Sequence, residues 1–518
     1  MEIPILYDWM IVFFVHEISE DLPESKDMYM AIEEAGAGRN LVFLIKDAIG
    51  IDDATNLFSF SMSLSRLVKQ ADTGKWKFEP EKAFRFDNSR KNCWEQAFEY
   101  IYTKFYSRRK VMVTFSHGAV FGINRDGDQL IRPQLPVGPG NGPIRQVRYR
   151  RYLINQNDMS QLKKRGWNET NHTIYKNKEN ADLLVVQQRM EDPVCKSLEV
   201  LWISDLAAAL DKYLGPTQID VMLMVNCFMQ LFDNGYLLSS KVGYLVAPEG
   251  EMDAYGYDYR KLLQRLDETP AIPNKRLVRA ILKDYEEMYR RDDREGLLRQ
   301  TAIFGTELKY YALALAGFEQ FVGLLRAEMG KSVELLRDIR VDKVQSVSQD
   351  ADFPLVDVGY WIKVTCARFR HLPNVEEFRR WFARLHKRLI VAGYVGSDLL
   401  AQDARSTAKC GYSGVSIYYP QNIQQVEEIQ VAWCAYFDSA ISSKFNKESK
   451  WSRFLNAYFR LTRSGQVAVV AQEGSPVQTE QATVGSGNGQ AMPVLGGTLS
   501  PSPSAVATVS TPLAVSVT

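Results

Sequence analysis

Apolar runs of about five to seven residues recur through the first half of the chain and alternate with stretches of mixed polarity. They lie at 9–15, 40–45, 111–115, Ile219–Val225 and 242–247. Runs this apolar are typical of strands that are buried on both faces of a parallel sheet. The pattern therefore predicts an α/β fold with a mostly parallel central sheet and helices on both of its faces.

Between these runs, apolar residues recur at spacings of three and four, which indicates amphipathic helices. In 92–110 this spacing places Trp94, Phe98, Ile101 and Phe105 on one helical face. A helix here would carry the chain back along the sheet to the strand at 111. We therefore expect a crossover unit, in which a helix joins two parallel strands.

Two further local signals precede the strand at 219. Ser204 is placed to cap a helix that Gly215 ends, just before Pro216. Residues 51–90 alternate only weakly, with turn residues at 72–74, and this pattern leaves a helix and a hairpin both open.

The second half of the chain is dominated by helical spacings, at 273–340, 358–392 and 424–463. The short apolar run 414–420 (GVSIYYP) predicts one late strand that returns to the sheet. After Ser464 the chain contains no Lys, Arg or aromatic residue and is rich in Gly, Ser, Thr and Pro. Such a tail cannot bury enough apolar surface to fold, and we predict disorder.

These patterns divide the chain into three parts. The predicted parts are a core at 1–270, a helical region at 271–463 that returns the strand 414–420 to the core, and a disordered low-complexity tail at 464–518.

A long basic insertion interrupts the core at about 125–200. It opens with a Pro- and Gly-rich run at 133–143, which excludes a helix or a central strand there. Basic clusters follow at 145–152, 163–167 and 175–178. We expect an exposed, protease-accessible loop, because connections of this composition run over the surface.

The overall charge limits the possible partners. The chain has 63 Lys and Arg against 62 Asp and Glu, a net charge of +1, which argues against bulk electrostatic binding to nucleic acid or to a membrane. The apolar run near the N-terminus is too short to span a bilayer and lacks the basic flank and cleavage site of a signal peptide. We therefore interpret that run as the first core strand and expect a cytoplasmic protein.

The cysteines indicate reduced thiols rather than a disulfide framework, because none follows CxxC spacing and no metal-ligand spacing occurs. They are Cys93, Cys195, Cys227, Cys366, Cys410 and Cys434.

Two of the predicted strands end close to a reactive side chain. His117 follows the strand at 111–115, and Cys227 follows the strand Ile219–Val225. The carboxyl ends of parallel strands are where open α/β sheets place their chemistry. If the two strands are neighbours, the imidazole can act as base for the thiol, as in a Cys/His nucleophilic centre.

Motif position suggests two further contributions. A helix that begins just after Cys227 would direct its N-terminal amides at the sulfur and favour negative charge there. Gly118 lacks a Cβ, so its N–H can approach a tetrahedral intermediate and form an oxyanion hole together with the N–H of Cys227.

Seven segments in this order carry a family resemblance. They are Ser116-His117-Gly118, 225–233 (VNCFMQLFD), 244–250 (YLVAPEG), 253–258 (DAYGYD), 301–315, 353–362 and 414–420. The chain resembles the clostripain family of cysteine peptidases, which has a caspase-like fold, over roughly residues 8–460. The resemblance implies a caspase-like three-layer α/β/α sandwich with helical C-terminal additions.

The resemblance also implies an endopeptidase that cleaves after Arg or Lys and acts on protein or peptide substrates. In the family, two acidic residues hold the basic side chain of the substrate. Asp253 matches one of them, but Val225 stands where the other would be, so the basic preference is expected to be weakened. Asn226 replaces a small residue beside the nucleophile, and its bulk raises the prospect of a crowded or closed site.

Two further family properties are implied. Members cut themselves between the His and Cys strands, and the 125–200 insertion offers many Lys and Arg sites. Some members require calcium, although this chain has no EF-hand spacing.

Alternatives to these interpretations remain open. The insertion fits a solvated charged loop equally well, or a phosphate-binding surface, since RYRRY interleaves aromatic and basic residues. The alternative to an active peptidase is a catalytically silent relative kept as a scaffold or peptide-binding protein.

Overall fold

The computed structural model describes most of the chain up to residue 473. The described residues are 6–15, 23–52, 57–85, 93–118, 120–124, 147–155, 172–176, 183–191, 200–253, 255–347, 353–422, 425 and 444–473.

Strands and helices alternate through the described part of the chain. In chain order the strands are β1 (Leu6–Val15), β2 (Leu41–Asp52), β3 (Leu57–Lys69), β4 (Trp76–Arg85), β5 (Tyr106–Phe115), β6 (His117–Gly118), β7 (Gly122–Asn124), β8 (Val147–Asn155), β9 (His172–Lys176), β10 (Leu183–Glu191), β11 (Val200–Trp202), β12 (Ile219–Val225), β13 (Val242–Pro248), β14 (Ala302–Glu307), β15 (Leu355–Asp357), β16 (Ile390–Val395) and β17 (Ser416–Tyr418). The helices are α1 (Pro23–Ala35), α2 (Cys93–Lys104), α3 (Ile203–Leu214), α4 (Phe232–Leu238), α5 (Tyr259–Glu268), α6 (Asn274–Arg291), α7 (Glu295–Leu298), α8 (Tyr311–Asp338), α9 (Val358–Arg368), α10 (Val375–Leu389), α11 (Ser397–Arg405), α12 (Lys444–Ser449) and α13 (Trp451–Glu473).

Nine strands form the central sheet, in the order β16-β14-β13-β12-β5-β1-β2-β3-β4. The five middle strands, from β13 to β2, pair in parallel, whereas β14 and β3 run antiparallel to their neighbours. The predicted mostly parallel sheet is therefore confirmed. The strands before His117 and Cys227 are neighbours, which is the condition for a Cys/His centre, since β5 and β12 pair directly.

The middle strands of the sheet are buried on both faces, as the apolar runs predict. Along β1, Met10, Val12 and Phe14 belong to one core cluster, whereas Ile11 and Phe13 belong to the other. Successive side chains of a strand point to opposite faces, so the two clusters lie on opposite sides of the sheet. Helices α2 and α3 pack into the first cluster, and α1, α5 and α6 pack into the second. The result is the predicted α/β/α sandwich.

The basic insertion begins and ends at paired residues. β7 and β11 form an antiparallel pair in which Val200 lies opposite Asn124, so the two ends of the 125–200 segment are neighbours. The prediction of a loop throughout is wrong, because β8, β10 and β9 form a separate antiparallel sheet within this segment. The basic residues of 147–151 lie in β8. The run 133–143 and the cluster 163–167 lie outside the described residues.

Several predicted elements differ from the structure in extent or type. Residues 57–85 form a β-hairpin, which settles the ambiguity at 51–90. Helix α2 ends at Lys104, earlier than the predicted 110, and β5 begins at Tyr106. Ser204 lies inside the first turn of α3, whose N-cap is Trp202, so the predicted Ser204 cap is wrong. The predicted end of that helix is confirmed, since Gly215 is its C-cap with a positive φ of 57°.

The second half of the chain contains more of the sheet than predicted. β14 interrupts the supposedly helical stretch 273–340, and both β14 and β16 join the central sheet. The late strand β17 does not return there. It pairs with β15 in a separate two-stranded sheet, so the prediction for 414–420 is wrong. Helix α13 continues to Glu473, past the predicted start of the disordered tail at 464, and residues 474–518 lie outside the described part.

Candidate active site

The ends of β5 and β12 place His117 and Cys227 at matching positions. Phe115 and Val225 are register partners, and each reactive residue follows its partnered residue by two positions. The two backbones therefore leave the sheet side by side at its carboxyl edge. His117 is exposed, in the short strand β6 that pairs with β7.

Gly118 packs directly against the backbone of Cys227. A Cβ at position 118 would lie 1.8 Å from the carbonyl oxygen of Cys227 and 2.6 Å from its nitrogen. No residue with a side chain can occupy this position unless the Cys227 backbone moves, so the glycine is required for the close approach. The contact joins the two residues predicted to form an oxyanion hole.

Asn226 links the two strand ends. Its Oδ1 accepts a hydrogen bond from Thr114 Oγ1 at 2.6 Å, and its Nδ2 donates to the carbonyl oxygen of Ser116 at 2.8 Å. The side chain is only 1% exposed and is directed at β5. The concern that its bulk crowds the substrate is therefore not supported, because the amide spans the gap between the His117 and Cys227 strands.

Cys227 lies in a turn and not at the start of a helix, so the predicted helix directly after the cysteine is wrong. Phe228 has a positive φ of 62°, and α4 begins only at Phe232. The turn is held to the segment after β13, since the N–H of Phe228 donates to Gly250 O at 2.8 Å and that of Gln230 donates to Pro248 O at 2.9 Å.

The Cys227 thiol is partly buried beneath the segment that follows β13. The N–H of Met252 lies 3.4 Å from Sγ, and Sγ lies 3.7 Å from the Met252 carbonyl oxygen. Burial raises the pKa of the thiol, and the carboxylates of Glu251 and Asp253 raise it further, while the hydrogen bond from Met252 opposes them. In this arrangement the thiol is protonated at neutral pH, and no hydrogen bond joins it to His117 in the described part of the chain.

Asp253 and Val225 each contact residues of the segment 255–258. Asp253 Oδ1 accepts hydrogen bonds from the N–H of Tyr255 at 3.0 Å and from the hydroxyl of Tyr289 at 3.4 Å. Val225 is buried, and its methyl groups lie 3.0 and 3.2 Å from where a Cβ on Gly256 would be. The valine therefore supports the segment 253–258 from below.

Sequence reasoning missed two neighbours of the cysteine. Met252 contacts the thiol only through its backbone, so no side-chain pattern could reveal it. The buried carboxyl of Glu249, three residues earlier, is also close to the turn, and it lies within the segment 244–250 that carried the family resemblance. The sequence does not show that this carboxyl is buried, and burial is what distinguishes it from a surface glutamate.

The described residues offer no metal site and no membrane span. Among them, no group of three or more His, Cys, Asp or Glu side chains is arranged to hold a metal ion, so the residues present do not fit a calcium site of that kind. Within the same residues, no helix combines the length and the apolar character needed to cross a bilayer.

Three solved structures are similar to this chain at low sequence identity. An inactive zymogen C11 protease from Parabacteroides distasonis has a TM-score of 0.49 at 13% identity, over 86% of this chain and 99% of that one. A secreted C11 cysteine protease from Bacteroides thetaiotaomicron has a TM-score of 0.47 at 13% identity, over 88% and 100%. A C11 cysteine protease from the same organism, in complex with an irreversible peptide inhibitor, has a TM-score of 0.48 at 13% identity, over 86% and 99%.

Comparison at the level of sequence gives two findings. No curated protein matches the chain. The model of the clostripain family matches residues 194–458, which is 265 of the 518 residues and includes Cys227, the segment after β13 and β17. The chain therefore belongs to the clostripain family and is a cysteine-type peptidase, a hydrolase of peptide or protein substrates.

Proposed function

We propose that this protein is an endopeptidase in which Cys227 is the nucleophile and His117 is the general base. The observation that carries this proposal is the register of β5 and β12, together with the contact of Gly118 on the Cys227 backbone. These features hold the two strand ends side by side, whatever the length of chain between them.

In the proposed reaction, Cys227 Sγ attacks the scissile carbonyl carbon and its proton passes to His117. The N–H groups of Gly118 and Cys227 stabilise the oxyanion of the tetrahedral intermediate. The C–N bond then breaks, and His117 donates its proton to the leaving amine. Water, deprotonated by His117, hydrolyses the thioester and releases the free thiol and the carboxylic acid product.

The resting thiol is poorly prepared for this attack. Its raised pKa leaves little thiolate at neutral pH, and its hydrogen-bond partner is the Met252 backbone. Only the thiolate is a strong nucleophile. We therefore propose a latent enzyme, activated by a change that moves the segment 250–253 or brings His117 to the thiol. The cytoplasmic location expected from the sequence stays a prediction.

The proposed substrate preference is a basic residue before the scissile bond. Among the described residues, both hydrogen bonds to the Asp253 carboxylate go to Oδ1, which leaves Oδ2 for a substrate guanidinium or ammonium. Because Val225 occupies the position of the second acid, the Asp253 carboxylate alone would provide the preference for Lys or Arg. D253N should therefore lower the preference for Lys or Arg over Leu by about 10- to 100-fold, the loss of one charge-assisted hydrogen bond. The neighbouring exposed variant E251Q is the control, and equal effects of the two variants would contradict the assignment.

We propose that the enzyme matures by cutting itself within 125–200. The arginines of β8 are paired with β10 in a sheet, and a peptidase needs an accessible, unpaired segment. We take the cluster Lys163 to Arg165, which lies in sequence between β8 and β9, as the proposed cleavage site.

Intact mass spectrometry of the wild type beside C227A tests the nucleophile and the maturation step together. Incubation is carried out with and without calcium, which also tests the ion requirement. Cleavage after Lys or Arg within 156–171 in the wild type alone is the expected result. Cleavage of C227A would exclude Cys227 as the nucleophile, provided that the preparation is free of other proteases.

An uncut wild type would then be tested with a peptidyl electrophile that ends in lysine. Labelling of Cys227 at least tenfold faster than that of Cys366 indicates an active but uncut enzyme. Equal labelling would contradict the proposed peptidase site.

A further inference from the structure

A buried carboxyl group lies directly behind the nucleophile turn. Glu249 follows β13 and is fully buried, with 0% of its surface exposed. Its Oε1 accepts a hydrogen bond from Ser416 Oγ at 2.8 Å, and its Oε2 accepts one from the N–H of Gly414 at 3.0 Å. These donors belong to the segment 414–416 that leads into β17, so Glu249 joins the central sheet to the C-terminal half of the chain.

A second buried carboxyl faces the first. Asp357 is also 0% exposed and lies within hydrogen-bonding reach of Glu249. Its Oδ1 accepts from the N–H of Tyr360, and its Oδ2 accepts from both the N–H and the hydroxyl of Ser413, each at 2.6 Å. Two carboxylates at this separation cannot both be ionised in a buried site, so one of them retains a proton.

Among the residues that the structure describes, little positive charge lies close to this pair. His386 is the nearest group able to carry one, with Nε2 at 3.3 Å from Ser413 Oγ, and burial lowers its pKa. The other titratable groups that face the pair are Tyr311, Cys410 and Tyr412, all of them neutral when protonated. Burial first, and then the charge of Asp357, raise the pKa of Glu249 well above its ordinary value.

The same segment contacts the nucleophile turn from the other side. The N–H of Ser416 donates to the carbonyl oxygen of Gln230 at 2.9 Å, and Leu231 forms a parallel bridge with Ser416. The residues on either side of Glu249 accept the hydrogen bonds from Phe228 and Gln230 described above. The turn after Cys227 is thus held between the end of β13 and the segment 414–416, and the Glu249 side chain connects those two.

We propose that Glu249 is a positioning residue for Cys227, which holds the segment 414–416 against the nucleophile turn through Ser416 and Gly414. Asp357 completes the connection by orienting the Glu249 carboxyl. The role of the cysteine in this inference rests on the proposed function. The connection itself rests only on the contacts.

The test compares E249A and E249Q with the wild type. Gln has the shape of a protonated Glu, and its oxygen can accept from Gly414 while its amide donates to Ser416 Oγ or to Asp357. Ala removes every contact. The control is E268Q, because Glu268 is exposed at the end of α5 and takes no part in these contacts. Two rates are measured for Cys227 by mass spectrometry between pH 6 and 10, namely alkylation by iodoacetamide and labelling by the lysine-ended peptidyl electrophile. Cys366 is buried in α9 and reports unfolding.

In E249A we expect the turn to move. Iodoacetamide should then react with Cys227 at least fivefold faster, peptidyl labelling should be at least tenfold slower, and Cys366 should stay protected. E249Q and E268Q should lie within twofold of the wild type at pH 7. At alkaline pH the wild type should lose peptidyl labelling relative to E249Q, because a second negative charge would separate the pair in the wild type alone.

Three results would count against parts of this scheme, and they differ from one another. Unchanged Cys227 rates in E249A would overturn the positioning role. If Cys366 is labelled together with Cys227 in E249A, and E249Q keeps the wild-type pH profile, Glu249 has only a general role in stability. This result would also overturn the positioning role. Failure of the wild type to label Cys227 faster than Cys366 with the peptidyl reagent would instead contradict the proposed peptidase site, and the iodoacetamide rates would still decide the positioning role.

Discussion

The turn that carries Cys227 is held in place by more contacts than the turn that carries His117. The cysteine turn is held by backbone hydrogen bonds to 248–250, by the segment 414–416 and by the N–H of Met252 on the sulfur. The histidine lies in a two-residue strand, and its side chain is exposed. Gly118 and the Asn226 amide connect the two turns.

This difference follows from what each group must do. A nucleophile has to lie within about 3 to 3.5 Å of the carbon it attacks, and small displacements are costly. A general base has to reach only a proton, directly or through one water. It exchanges protons in turn with the thiol, with the leaving amine and with the attacking water. We infer that the fold fixes the thiol and leaves the imidazole accessible to the substrate side of the site.

The sharpest test of this comparison is H117A beside C227A. Each substitution should reduce turnover by about 10²-fold or more, and the double variant should be no worse than C227A alone, because residues that act as one unit are not additive. Replacement of the exposed His117 should change the free energy of unfolding by less than about 0.5 kcal/mol. Peptide hydrolysis and urea denaturation give both quantities. An additive double variant would mean that His117 and Cys227 act independently.

The next largest effect is expected for G118A. The new Cβ would overlap the Cys227 carbonyl, so the cysteine turn must move, and overpacking of this kind costs about 1 to 3 kcal/mol. Turnover and the rate of Cys227 labelling should change together. The control is G296A, because a Cβ at Gly296 meets nothing within 4 Å. If G118A behaves like G296A, the close approach of the two turns is not required.

A smaller effect on turnover is expected when the link between the two strand ends is removed. N226A removes the hydrogen bonds that the Asn226 amide makes with the buried Thr114 hydroxyl and the Ser116 carbonyl, which should cost about 1 to 3 kcal/mol of unfolding free energy. T114V removes only one of the two hydrogen bonds and should cost less. A loss of stability with normal turnover in N226A would show that Asn226 stabilises the sheet edge but does not position His117.

The smallest effect concerns the pH dependence of stability. The folded-state pKa of Glu249 is raised, so its contribution is fully present below its unfolded pKa of about 4.3 and is lost as the pH rises through the folded value. The lowered pKa of His386 acts in the opposite sense and reduces stability as the pH falls below about 6.5. E249Q should therefore remove a decline that begins above about pH 4.3 and amounts to at most about 1.4 kcal/mol per pH unit, while the loss of stability due to His386 below about pH 6.5 remains. Urea denaturation between pH 5 and 9 measures both slopes. Parallel slopes in the two proteins would contradict the assignment of Glu249.

The sequence predicted the part of the fold that depends on apolar runs. β1, β5, β12 and β13 are buried on both faces, and a continuous apolar run is enough to predict such a strand. The strand β14 was missed because AIFGTE is a short buried run between two helical patterns, where periodicity does not separate a strand from a helix. β17 was found as a strand, but the identity of its partner, β15, depends on contacts between residues about 60 positions apart.

The candidate site was predictable to the same extent. His117 and Cys227 each follow a predicted strand. The hypothesis of a Cys/His centre required only that those two strands be neighbours. The roles of Asn226 and Glu249 were not visible, because each depends on which side chain lies opposite it. A polar residue in an apolar run predicts only that it needs a partner, and the fold supplies the partner's identity.

The pairing of β5 with β12 also determines how the molecule would respond to being cut. Cys227 follows His117 by 110 residues, but the strands that carry them are joined by hydrogen bonds within one buried sheet. A break at Lys163 to Arg165 would leave β1 to β5 on one polypeptide and β12 to β14 on the other. Neither piece has a complete sheet, and each would cover the exposed edge of the other. We therefore expect the nicked protein to persist as one particle with two chains, separable only by denaturation.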